Sequence, residues 1–111
     1  MKLFGACIAT HNIEPMIKFY TEVFGCKPYI DGPDHRFLDA QMIIFKLEDP
    51  SAPSTKNAAL IYAVDDVDAE FLRLNNIGIA SNPPTDKPWG VRSFVISDPD
   101  GNTVSFFTNL R

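Results

Sequence analysis

Few side chains in this 111-residue chain have the type and spacing to carry chemistry. Cys7 and His11 are separated by one strand end, and a thiol beside an imidazole is the minimal nucleophilic pair. An extended strand rises about 3.3 Å per residue, so the two meet only if the chain turns sharply between them. His11, His35 and a carboxylate such as Asp39 form a conceivable metal set. A histidine at a strand-to-helix junction and another after a Gly-Pro-Asp turn read more simply as capping and surface residues. The string Asp65-Asp66-Val67-Asp68-Ala69-Glu70 resembles a cation site, yet acidic residues opening a helix meet its positive dipole end. Cys7 and Cys26 make no CxxC or zinc spacing. There is no Gly-x-Ser-x-Gly elbow, no P-loop and no Rossmann glycine fingerprint.

The elements that must position these residues repeat. Alternation predicts a strand over 3–10. His11 or Asn12 then opens a helix, with Pro15 in its first turn, apolar residues from Met16 to Phe24 at helical spacing, and Gly25 as the stop. Strands are expected over 27–30, 36–39 and 41–47, the first two separated by Asp31-Gly32-Pro33-Asp34. The second half starts again with a strand over 58–64, and Asp65 or Asp66 caps a helix over 67–76. Strands follow over 79–82, 91–97 and 103–108. Asp98-Pro99-Asp100-Gly101-Asn102 joins the last two: Pro presets the corner, Asp and Asn bond their own backbone, and Gly takes the left-handed position. Two modules result, about 1–49 and 57–111, with a Pro/Ser-rich linker over 50–56.

Composition narrows the partners. The net charge of −4, without a Lys/Arg cluster, argues against nucleic acid and anionic membranes. No apolar run approaches the ~20 residues that span a bilayer. The opening residues carry no signal-peptide pattern, so a cytoplasmic location is the default expectation.

The turn and its flanking strands resemble the C-terminal hairpin of the vicinal oxygen chelate superfamily, which includes glyoxalase I, extradiol dioxygenases and bleomycin-resistance proteins. Lys18-Phe19-Tyr20-Thr21-Glu22-Val23-Phe24-Gly25 resembles the end of its first helix, and Asp65-Asp66-Val67-Asp68 the start of its second. The resemblance implies an α+β fold, two βαβββ modules forming curved mixed sheets around a cavity. It also implies a homodimer, since members of this length usually pair. In metal-using members a glutamate three residues after the turn's Asn holds the ion; here that position is Ser105. The positions matching other family ligands are Gly5 and Ala59, and the first module's last strand reads Ile43-Ile44-Phe45-Lys46. None is a good ligand, so no metal and no cofactor are expected.

Alternation then fixes what lines the cavity. If Gly5 faces it, so do Cys7 and Ala9, with Phe4, Ala6 and Ile8 beneath the helix. Ser105 shares its face with Thr103 and Phe107, opposite Ser97, Val95 and Ser93; Ala59, Ile61 and Ala63 point the same way. Phe37 and Phe107 are candidate aromatic plates, Trp89 closes the mouth, and Arg92 meets an anionic group or forms a surface salt bridge. The candidate ligand-binding set is Cys7, Phe37, Trp89, Arg92, Ser93, Ser105 and Phe107, with no catalytic residue. An alternative is a filled sheet interior at a dimer seam. The leading reading is a metal-free protein, like the bleomycin-resistance branch, that sequesters a small aromatic or hydrophobic compound such as an antibiotic. The acidic balance would suit a cationic one. The rivals are a metal-dependent lyase, isomerase, transferase or dioxygenase with displaced ligands, and an accessory subunit that recognises a protein.

Overall fold

A computed structural model describes residues 1–32, 34–37 and 39–110. Pro33, expected in a turn, and Leu38, expected in a strand, lie outside the described residues. The chain divides into two compact units, Met1–Lys56 and Asn57–Arg111.

The first unit runs β1 (Ala6–Thr10), α1 (Ile13–Phe24), β2 (Ile30–Asp31), β3 (Asp34–Phe37) and β4 (Met42–Lys46). Its sheet has the order β1-β4-β3-β2, with β1 and β4 parallel and the other pairs antiparallel. A parallel pair needs a crossover, and α1 supplies it. The helix stops at Gly25, whose left-handed backbone (φ 70°) lets its N–H donate to the Thr21 carbonyl at 2.9 Å. Met16, Tyr20 and Val23, spaced on one helical face, are buried over Ile8, Phe37, Met42 and Ile44. Phe24 of α1 meets Phe37 edge-on at 5.1 Å. Each such burial is worth roughly 1.5–3 kcal/mol, enough to decide which sheet face the helix covers.

The second unit repeats the order: β5 (Ala59–Ala63), α2 (Val67–Asn76), β6 (Thr85–Asp86), β7 (Val91–Ser97) and β8 (Thr103–Asn109). The sheet order is β5-β8-β7-β6, with β5 and β8 parallel as β1 and β4 are. The Asp66 carboxylate accepts from the Ala69 amide at 3.1 Å, so the acidic string opens α2 and caps it. Thr108 clamps the same helix start, accepting from the Val67 amide at 3.0 Å and donating to the Val64 carbonyl at 2.9 Å. Phe71 of α2 packs on Phe94, which stacks on Phe106 at 5.1 Å.

Three expectations are corrected. Residues 3–5 are not strand, because the partner strand β4 begins only at Met42, opposite Ala6; Phe4 is exposed, not beneath the helix. The strand expected over 27–30 shrinks to β2, following Pro28, which has no N–H to give a ladder. No strand forms over 79–82; pairing with β7 starts at Thr85, after Pro83 and Pro84. The Pro/Ser-rich segment falls within the first compact unit. The Thr55 hydroxyl accepts from the Ala9 amide at 3.0 Å, and the Thr55 amide donates to Ala9 at 2.8 Å. His11 completes this seam through its amide to Ser54 Oγ at 3.0 Å and its ring Nε2 to the Ala52 carbonyl at 2.5 Å.

Candidate functional site

Each sheet has one face under its own helix and one turned away, and strand pairing places residues abreast on each. On the second sheet, Ile61, Ser105 and Val95 form one row turned from α2. Ala63, Phe107, Ser93 and Thr85 form the next, and Ala59, Thr103 and Ser97 a third. Ile61 and Val95 are exposed. Between this face and the proline-rich loop lies a recess of about 340 Å³, lined by Asn82, Pro83, Thr85, Lys87, Ser93, Phe94 and Val95. That volume is at the lower end of small-molecule sites.

On the first sheet the face turned from α1 carries Cys7, Ile43 and Arg36 in one row and Ala9, Phe45 and Asp34 in another. Arg36 donates to Asp34 at 2.7 Å. That bond holds the Asp34 carboxyl below the usual carboxylate range and raises the Arg36 guanidinium. The guanidinium also lies 5.9 Å from the Phe4 ring centre. A small recess of about 50 Å³ lies where β3 ends and β4 begins, lined by Phe4, Tyr29, Arg36, Phe37, Gln41, Met42 and Ile43. Burial pushes the Cys7 thiol up, and the Asp34 carboxylate adds to the shift. A thiol held protonated is a poor nucleophile.

The expected site residues are divided by these faces. Ser93, Ser105 and Phe107 gather on the open face of the second sheet, and Cys7 stands on that of the first. Phe37 is 2% exposed beneath α1, so it cannot be a plate on the open face. Arg92 also points to the helix side, opposite Asp86 and Thr108. There its guanidinium donates to Asp68 at 3.0 Å and to Asp86 at 3.0 Å, which drives its pKa up and occupies its charge. Trp89 is 70% exposed at the tip of the β6–β7 hairpin, where the Gly90 amide bonds Lys87. Thr85 and Lys87 were missed, because three prolines made their loop read as irregular. The signal that could have found them is the turn Lys87-Pro88-Trp89-Gly90 before an alternating strand.

The fold's metal chemistry needs convergent imidazole or carboxylate donors. Ser105 stands between Ile61 and Val95, and Ala59 beside Thr103. At Gly5 an added Cβ would come within 3.0 Å of the Gln41 carbonyl oxygen. Among the described residues, no three His, Cys, Asp or Glu side chains converge. His11 is taken up by the seam at Ala52, and His35 lies opposite Ile44 on the helix-covered face. These residues do not fit the ion.

The sequence profile of the Glyoxalase/Bleomycin resistance protein/Dioxygenase superfamily matches residues 3–106. No curated protein sequence matches the chain. Among solved structures, a glyoxalase/bleomycin resistance protein/dioxygenase from Nocardioides superposes with a TM-score of 0.81 at 21% identity, over 100% of this chain and 85% of that one. TnmS3, an antibiotic binding protein from Streptomyces sp. CB03234, gives 0.76 at 26% identity, over 98% and 96%. A lactoylglutathione lyase from Agrobacterium tumefaciens gives 0.75 at 18% identity, over 96% and 92%.

Proposed function

The chain belongs to the Glyoxalase/Bleomycin resistance protein/Dioxygenase superfamily, and from that premise we propose that it is a metal-free binding protein for a small aromatic or hydrophobic molecule. The observation that carries this reading is the open face of the second sheet. Ile61, Val95 and Phe107 offer apolar contact, and Ser93, Ser105 and Thr85 offer hydroxyls. Such a wall can orient a guest, but it supplies neither a general base nor a ligand set. The likeness to an antibiotic binding protein at 26% identity supports the same reading. Sequestration of an antibiotic or toxic metabolite would follow from tight binding alone.

The proposal includes a homodimer. Ile61, Val95 and Phe45 are large apolar side chains exposed on sheet faces, and a second chain would remove them from water. It also places the protein in the cytoplasm, a compartment that suits the free thiols of Cys7 and Cys26.

Two measurements on protein purified without added metal test the proposal. Elemental analysis is expected to find no stoichiometric Fe, Mn, Ni or Zn; a full equivalent held by pocket residues would favour a metal-dependent enzyme instead. A thermal-shift screen of aromatic compounds is expected to yield a specific ligand. At 100 times its Kd such a ligand adds about 2.7 kcal/mol. A dimer is expected by light scattering.

A further inference from the structure

The chain carries a net charge of −4, but the recess on the open face of the second sheet is lined by a cation, Lys87, and, among the described residues, by no carboxylate. Thr85 lies opposite Ser93, and the Lys87 amide donates to the Val91 carbonyl at 2.7 Å, so Lys87 follows Thr85 on the same side of the sheet. Several carboxylates of this unit lie away from the recess. Asp66 caps α2, Glu70 holds Arg73 at 2.7 Å, and Asp68 and Asp86 hold Arg92 on the helix side. Asp98 and Asp100 belong to the turn between β7 and β8. Arg73 and Arg92 are thus paired, whereas among the described residues no carboxylate pairs with Lys87. Lys87 is half-buried and lines the recess with Thr85, Ser93, Val95 and Pro83.

We infer that this recess takes the anionic group of an aromatic acid, with the carboxylate at Lys87 and the ring against Val95 and Pro83. The inference rests on the binding reading above and specifies its ligand class. An ammonium presents three donors to a carboxylate, and the Thr85 and Ser93 hydroxyls add two more within the same recess. The Val95 and Pro83 side chains give the ring an apolar surface. A cationic guest would meet Lys87 as a like charge, so the ligand sign suggested by the overall acidity is reversed locally.

The test uses three probes sharing one ring system: naphthoate, naphthylmethanol and naphthylmethylammonium. Each is titrated into the 111-residue chain, its Lys87→Gln variant and its Lys87→Arg variant, and followed by amide chemical shifts. Naphthoate is expected to shift the Thr85, Ser93 and Val95 amides, to weaken about tenfold in Lys87→Gln and to recover in Lys87→Arg. The alcohol is expected to bind both variants equally. If the alcohol or the ammonium matches naphthoate, or if Lys87→Gln leaves naphthoate binding unchanged, the anion assignment is wrong while the binding reading stands. If no probe shifts any amide of this face, both fail.

Discussion

The side-chain amide of Asn102 donates to Asp98 Oδ2 at 3.0 Å, while Asp98 Oδ1 accepts from the backbone amides of Asp100 and Asn102, each at 2.9 Å. Asn102 then turns its own Oδ1 to the Ala58 amide at 2.9 Å. The turn between β7 and β8 is thereby fastened to the entrance of β5, a strand distant in sequence but adjacent in the sheet. Asn102 is fully buried and Asp98 is 5% exposed, so each lost partner would leave a polar group unsatisfied.

Asn102→Ala is therefore expected to cost about 2–3 kcal/mol. In denaturant unfolding the midpoint should fall with little change in slope. Asp98→Ala should cost a similar amount. The double variant should lose clearly less than the sum, since the two residues share one network. Strict additivity would show that they act independently.

Gly5→Ala is expected to destabilise by about 1–2 kcal/mol, because the added Cβ meets a backbone oxygen at 3.0 Å that a side-chain rotation cannot move aside. The Ala6 amide already donates to that oxygen at 2.8 Å, which ties the start of β1 to Gln41. Here the close approach of two segments of the chain, at Gly5 and Gln41, requires the missing side chain. An unchanged melting temperature would refute this.

Tyr62 gives an alkaline prediction. Burial holds its phenol neutral, with the pKa pushed up to about 12 from 10.0. The folded chain keeps a proton that the unfolded chain loses above pH about 10. Its contribution is complete below that pH and is lost as pH rises towards the folded value. Tyr62→Phe should flatten the fall of stability across this alkaline window, read as denaturant midpoint against pH. Parallel curves for the two proteins would exclude Tyr62 as the cause.

Cys7 gives a reactivity prediction. With Cys26→Ser as background, alkylation of Cys7 by iodoacetamide near neutral pH should be slower than that of a free cysteine. Its rate should rise to a plateau at higher pH, because burial first and Asp34 second disfavour the thiolate. Hyper-reactivity at neutral pH would instead indicate an activated thiol.

Local signals in the sequence were enough for several parts of this architecture. The span of α2 follows from an Asp cap and helical periodicity, and that of α1 from Pro15 and the Gly25 stop. The β7–β8 register, with Ser97, Val95 and Ser93 opposite Thr103, Ser105 and Phe107, follows from a turn whose residues dictate their own backbone. These features are encoded by neighbours in the chain.

Only the tertiary structure settled which face each strand residue occupies when its partner strand is distant. Phe37 and Arg92 looked suitable for a ligand wall by residue type, but β3 turns one under α1 and β7 turns the other to Asp68. Lys87 had no apparent role until the short β6 ladder and the Lys87–Val91 bond set it in one recess with Ser93. The physical reason is the period of a strand: moving an assignment by one residue exchanges inside for outside, and pairing across the sheet fixes that choice.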